Sequence, residues 1–181
     1  ARDFACIANL GVGGCGFEQQ MEAALRALTK QPYNDGFMRK NAPLAIIFIT
    51  DEDDCSAKDT GIFNPKDAKM GPFPSRCVKQ TDKLWPVTRY IDAFKKLKTN
   101  PDRVVVAAIT GPPGDVKIDP TYNTVKPICS STEFGSSHPG NRFGKLITGF
   151  GARGVLESIC QGDLGKPLDV IGKAIETACL K

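Results

Sequence analysis

With 181 residues, 41% of them hydrophobic, the chain is long enough to bury a sizeable core in one domain, and its composition is ordinary for a globular protein. Its 24 Lys and Arg against 20 Asp and Glu leave a net charge of +4, too mild and too dispersed to argue for a nucleic-acid partner. No apolar run approaches the roughly 18 to 20 residues that a transmembrane helix needs, so a membrane span is not expected either.

The opening residues, Ala1 to Phe4, include neither an initiator Met nor a hydrophobic leader core, and the sequence reads as a single domain over 1–181 that starts at a processed or trimmed end. Residues 1–16 are glycine-rich and hold Cys6 and Cys15. From 17 to 29, Phe17, Met21, Ala24, Leu25 and Leu28 recur at helical spacing, with Glu18, Gln19, Gln20 and Glu22 facing away, which predicts an amphipathic helix with acid in its first turn. Residues 31–42, with Pro32, Asn34, Asp35 and Gly36, connect it to the next element.

Residues 44–50 form an unbroken apolar run, β-branched at its centre, which is the pattern of a parallel strand buried on both faces. Four carboxylates follow at once: Asp51, Glu52, Asp53 and Asp54. Like charges so close repel unless a cation, helix N-termini or water offsets them. The carboxyl end of a central strand is also where open α/β sheets bind ligands, so a functional site is expected here.

From 56 to 81 the sequence has no periodicity, and Cys55 and Cys77 at its borders suggest a covalent staple. Helical spacing resumes from 82 to 98 through Trp85, Tyr90, Ile91, Phe94 and Leu97, with Lys95, Lys96 and Lys98 on the wet face. A second buried strand is expected over 103–109, then an irregular stretch to about 141 that holds Cys129 and the only histidine, His138, read as a surface-loop residue. Phe143, Leu146, Ile147 and Phe150 suggest a short helix, 155–159 a third strand, and 167–179 a last helix burying Leu168, Ile171, Ile175 and Ala178. This alternation predicts an α/β fold, a doubly wound, mostly parallel sheet covered on both faces. Three strands are few for such a sheet and leave an apolar edge, so N-terminal strands are expected to be missing or supplied elsewhere, by a segment or partner chain that completes the sheet.

The seven cysteines lie singly, without the CxxC pairs of zinc or redox motifs, which favours disulfides in an oxidising compartment. Proximity suggests Cys6–Cys15 and Cys55–Cys77, then Cys129–Cys160, with Cys179 left over.

Cys6, the segment GCGFE at 14–18, TDEDDCS at 50–56, SIC at 158–160 and a final helix reaching Cys179 together resemble von Willebrand factor A-like domains of secreted bacterial, myxobacterial-type surface lipoproteins. The resemblance implies a Rossmann-like sheet, a location outside the cell, at its surface or in the periplasm, and a metal-ion-dependent adhesion site at the strand ends. Of that site's three motifs only the Thr-Asp of the later strand matches, at Thr50-Asp51. The Asp-x-Ser-x-Ser segment does not occur, and 11–16 has no Thr, so the likeness is to the C-terminal two-thirds of such a domain.

The carboxylates have the oxygen chemistry of Mg²⁺ or Ca²⁺ sites. Asp51 is the expected ligand, Asp53 and Asp54 are expected to support it or shape the turn, and Glu18 to replace the absent Thr. The expected function is a non-enzymatic extracellular binding or adhesion module for a protein or cell-surface ligand. Two alternatives stay open: a nucleotide-dependent enzyme using Gly11, Gly13 and Gly16, which match G-x-G-x-x-G, and a metal-free structural component of a surface assembly.

Overall fold

The computed structural model describes residues 13–30 and 32–180. Along the chain come α1 (Gln20–Thr29), β1 (Leu44–Ile49), the single turn α2 (Arg76–Lys79), α3 (Val87–Lys95), β2 (Val104–Thr110), β3 (Cys129–Ser131), β4 (Gly135–Ser137), α4 (Asn141–Thr148), β5 (Gly154–Ser158) and α5 (Gly165–Cys179). The class is mixed α/β: a parallel sheet in the order β1-β2-β5, flanked by helices, with β3 and β4 forming a separate antiparallel hairpin.

Every residue of β2 is buried, as its continuous apolar run requires of a central strand. Side chains alternate across the sheet. Ile46, Phe48, Val106 and Ala108 pack on the face shared with Met21 and Leu25 of α1, Tyr90 and Phe94 of α3, and Phe143 and Leu146 of α4. Ala107 and Ile109 pack on the other face against Ile171 and Ile175 of α5.

That second face is covered unevenly. Ile47 and Ile49 of β1 sit in register with the fully buried Ala107 and Ile109, yet are 42% and 50% exposed. Among the described residues no strand pairs with the outer edge of β1.

Several expectations are corrected. The first helix begins at Gln20, and Phe17 ahead of it belongs to a second cluster with Cys55, Ile62 and Leu84. Glu22 does not face solvent: it is 7% exposed because Arg26, Arg89 and the Tyr90 hydroxyl all donate to its carboxylate. The helix expected from 82 starts only at Val87, since Leu84 bridges Ala57 in extended backbone and Pro86 precedes the first turn. Lys98 is buried, its Nζ donating to the Arg39 carbonyl at 2.6 Å, whereas Leu168 is 46% exposed.

The aperiodic stretch after Ser56 is ordered without strands. Arg76 is buried and donates to four carbonyls, those of Ile62, Asn64, Asp67 and Gly71. Asp59 and Asp67 cap short 3₁₀ turns, and a Cys55–Cys77 disulfide closes the stretch. A Cys129–Cys160 disulfide ties the hairpin to the segment after β5. Cys15 and Cys179 are exposed free thiols, and Cys6, the expected partner of Cys15, lies outside the described residues.

Candidate functional site

The segment that leaves β1 is stitched to the start of α1. Gln20 Nε2 donates to Thr50 Oγ1, the Cys55 amide to the Glu18 carbonyl, the Met21 amide to Asp54 Oδ1 and the Glu22 amide to Ser56 Oγ. No side chain on α1's own N-cap residue, Gln19, serves its first-turn N–H groups, so this distant acidic segment caps the helix instead.

Asp54 is the centre of that arrangement. Its side chain is fully buried and also accepts from the Ser56 amide and hydroxyl and from Nε and Nη2 of Arg142, the latter two at 3.1 and 3.0 Å. Asp53 performs a parallel service for α4: both its oxygens accept from the backbone N–H of Arg142, in that helix's first turn, each at 3.0 Å. Two adjacent carboxylates thus sit at the positive ends of two helices, with one guanidinium between them, which is how so much negative charge is held at one strand end.

The other two acids turn elsewhere. Asp51 is exposed and lines a small hollow beside the β3–β4 hairpin and the Cys129–Cys160 disulfide, while its carbonyl accepts from the Ser137 hydroxyl and the His138 amide. Glu52 turns toward His138, whose Nδ1 lies 3.9 Å from its carboxylate.

Glu18, Glu52, Asp53, His138 and Arg142 line a cleft of about 350 Å³ at the carboxyl end of β1. Its apolar walls come from Phe17, from Phe73 and Val78 beside the Cys55–Cys77 disulfide, and from Val116, Val125 and Pro139. The size falls in the range of small-ligand sites, about 300 to 1,000 Å³. Two other hollows, one beside 27–38 and one beside α4, lie away from the acidic segment.

Burial pushes the Asp53 carboxyl up to about 6, against the opposing pull of the Arg142 and Asp54 amides. The Glu52 carboxyl is also raised, mainly by burial and further by Asp51 and Glu18, with His138 acting the other way. Both carboxylates therefore stand in a partly desolvated place where a neutralising group would be welcome.

The rim is set by close backbone approach. A Cβ on Gly111 would stand 2.0 Å from the His138 carbonyl oxygen, and one on Gly140 2.7 Å from the Gly111 carbonyl oxygen. Only glycines let the loop that carries His138 lie directly on the end of β2.

Of the four residues expected to share a cation, Glu18 and Asp53 meet in the cleft, Asp54 is consumed by helix capping and Arg142, and Asp51 faces another hollow. Among the described residues no group of three or more His, Cys, Asp or Glu side chains is arranged to hold a metal ion. For the nucleotide alternative, Gly11 lies outside the described residues, and Gly13 and Gly16 are exposed with open space around them. Of the groups near His138, Cys55 and Cys77 are bonded to each other, and the Ser137 hydroxyl donates to the Asp51 carbonyl.

Arg142 and most of the apolar walls did not stand out in the sequence, and Glu52 did so only as part of the acid run, not as an expected ligand. Glu52 had a signal, its place in the acid run at a strand end. Arg142 had only its place in a helix-opening loop sequence, Gly140-Asn141-Arg142.

Comparison of the chain with protein-family models, with curated protein sequences and with solved structures finds no match.

Proposed function

We propose that this chain is a non-enzymatic, exported binding module of the von Willebrand factor A-like kind, which recognises a protein or cell-surface ligand in the cleft at the carboxyl end of β1. The observation that carries the reading is the cleft itself: apolar walls around partly buried carboxylates, at the strand end where open parallel sheets bind ligands. The parallel order β1-β2-β5 with helices on both faces suits a Rossmann-like sheet of that kind. Two disulfides, one at a cleft wall and one behind the hairpin, suit an oxidising extracellular, surface or periplasmic setting. No helix among the described residues is long and apolar enough to cross a membrane. The unpaired outer edge of β1 is where a further strand, from outside the described residues or from a partner chain, would complete the sheet, and the exposed Ile47 and Ile49 mark the face beside that edge as uncovered.

The test is calorimetric titration of the metal-stripped, non-reduced protein with a panel of capped peptides, before and after saturation with Ca²⁺ or Mg²⁺. Peptide binding that is lost when Val125→Trp fills the cleft supports the reading. Binding that needs the cation and disappears in Asp51→Ala assigns the module a metal-dependent adhesion mechanism. Binding untouched by Val125→Trp, or none under any condition, overturns the cleft as the recognition site.

A further inference from the structure

The charge inside the cleft is opposite in sign to that of the chain as a whole. The segment before α1 contributes Glu18, the segment after β1 contributes Glu52, Asp53 and Asp54, and the segment entering α4 contributes His138 and Arg142. The remaining lining, from the Phe73–Val78 side and from Val116, Thr124 and Val125, carries no charge. Arg142 offsets only part of this charge: its guanidinium is bound to Asp54 and the Trp85 carbonyl at 2.8 to 3.1 Å and also acts on Asp53, one cation against four carboxylates. Glu18, Glu52 and Asp53 thus remain as negative groups at the cleft surface, in a protein whose net charge is +4.

The walls have a complementary character. The Phe17 and Phe73 rings meet edge to face with centroids 4.7 Å apart, and Val78, Val116 and Val125 add aliphatic surface. A long side chain with a methylene stem and a cationic tip satisfies both features at once, its stem against the apolar walls and its tip among the carboxylates. An acidic or neutral polar side chain meets either repulsion or unpaired carboxylates.

We propose that the cleft receives a basic side chain, a lysine or arginine presented by a segment of a protein partner, with Glu18, Glu52 and Asp53 facing the cation and Phe73, Val78 and Val125 enclosing its stem. This rests on the reading of the cleft as the recognition site and names the chemistry that site selects. Glu52 and Asp53 suit the role physically, because burial already disfavours their charged forms and an incoming cation relieves that.

The experiment is a nuclear magnetic resonance titration of the ¹⁵N-labelled, non-reduced protein with three probes: the Nα-acetyl N-methylamides of lysine, norleucine and glutamate. The expected result is saturable movement of the Glu18, Glu52, Asp53 and Val125 amide signals with the lysine probe, and affinity about tenfold weaker for norleucine, which keeps a stem but lacks the charge. Glu52→Gln and Glu18→Gln, each with an otherwise unchanged spectrum, are expected to weaken the lysine probe several-fold and leave norleucine unaffected. Equal affinity for lysine and norleucine, or preference for glutamate, overturns the basic-side-chain proposal while leaving the cleft as a binding site. Absence of movement at the cleft with all three probes overturns the proposal and the reading beneath it.

Discussion

Asp53 and Asp54, neighbours in the chain, close the first turns of two different helices: Asp53 accepts the Arg142 amide of α4, and Asp54 the Met21 amide of α1. One dipeptide therefore fixes the angle at which both helices meet the end of β1, and the cleft lies where they converge.

Asp54→Ala removes a helix cap and leaves the mostly buried Arg142 guanidinium without its carboxylate, the costly way to break a buried pair. We expect a loss of about 3 to 5 kcal/mol in chemical denaturation. A loss under about 1 kcal/mol would mean that solvent reaches Arg142 and that the pair is a surface one.

Asp53 gives a pH dependence of unusual sign for a carboxylate. Its pKa rises from an ordinary 3.8 to about 6 in the folded protein, so the native state holds the proton more tightly than the unfolded chain. Below the ordinary value both states are protonated and no penalty exists. As pH climbs through the interval toward about 6 the unfolded chain ionises first, and folding stability falls. Asp53→Asn, which keeps an acceptor for the Arg142 amide, should flatten that descent in urea melts taken between those two pH values. An unchanged slope would place the titration on another group.

Glu22 works in the opposite sense. Burial acts to raise its carboxyl, but hydrogen bonds from Arg89, Arg26 and Tyr90 outweigh it and hold the pKa below the ordinary 4.5. Its stabilisation is full above that ordinary value and is lost as pH falls through the lowered folded value. Glu22→Gln should cost roughly 1.5 to 3 kcal/mol at neutral pH, the scale of hydrogen bonds to a charged group. Thermal melts of this variant should also lose part of the wild-type protein's acid sensitivity.

Cys55 and Cys77 are 22 residues apart, and chain-entropy arguments for a loop of that size give about 3 kcal/mol of stabilisation. Replacing both by serine should lower stability on that scale and speed proteolysis between 58 and 75 before the rest of the chain is cut. Equal cleavage rates would show that the hydrogen bonds of Arg76 hold this stretch without the bridge.

The sheet was legible because β1 and β2 are continuous apolar runs, and such runs leave few alternatives, although only β2 is buried on both faces as expected while β1 exposes Ile47 and Ile49. The β3–β4 hairpin was not: Cys129–Ser131 and Gly135–Ser137 offer no alternating apolar residues, and the hairpin is held by a disulfide to Cys160. Glu22 looked like a solvent residue because its partner Arg89 is 67 residues away in sequence, too far for helical periodicity to register. The acid run at 51–54 was visible as a place where charge must be balanced, but what balances it, Arg142 and two helix ends, depends on contacts 33 to 89 residues apart. Leu168 was placed inside by its spacing, yet it is exposed, and the residues that α5 buries are Pro167, Ile171 and Ala178.

The buried guanidinium of Arg76 has one more consequence, for how the protein will look to a spectroscopist. The residues it gathers, from Ile62 to Gly71, are held by bonds to a single side chain and by isolated turns, so they contribute little regular far-ultraviolet dichroism. A spectrum will count this part of the molecule as coil. Its order will show instead in the dispersion of its amide resonances, and a secondary-structure estimate taken alone will understate how much of the chain is folded.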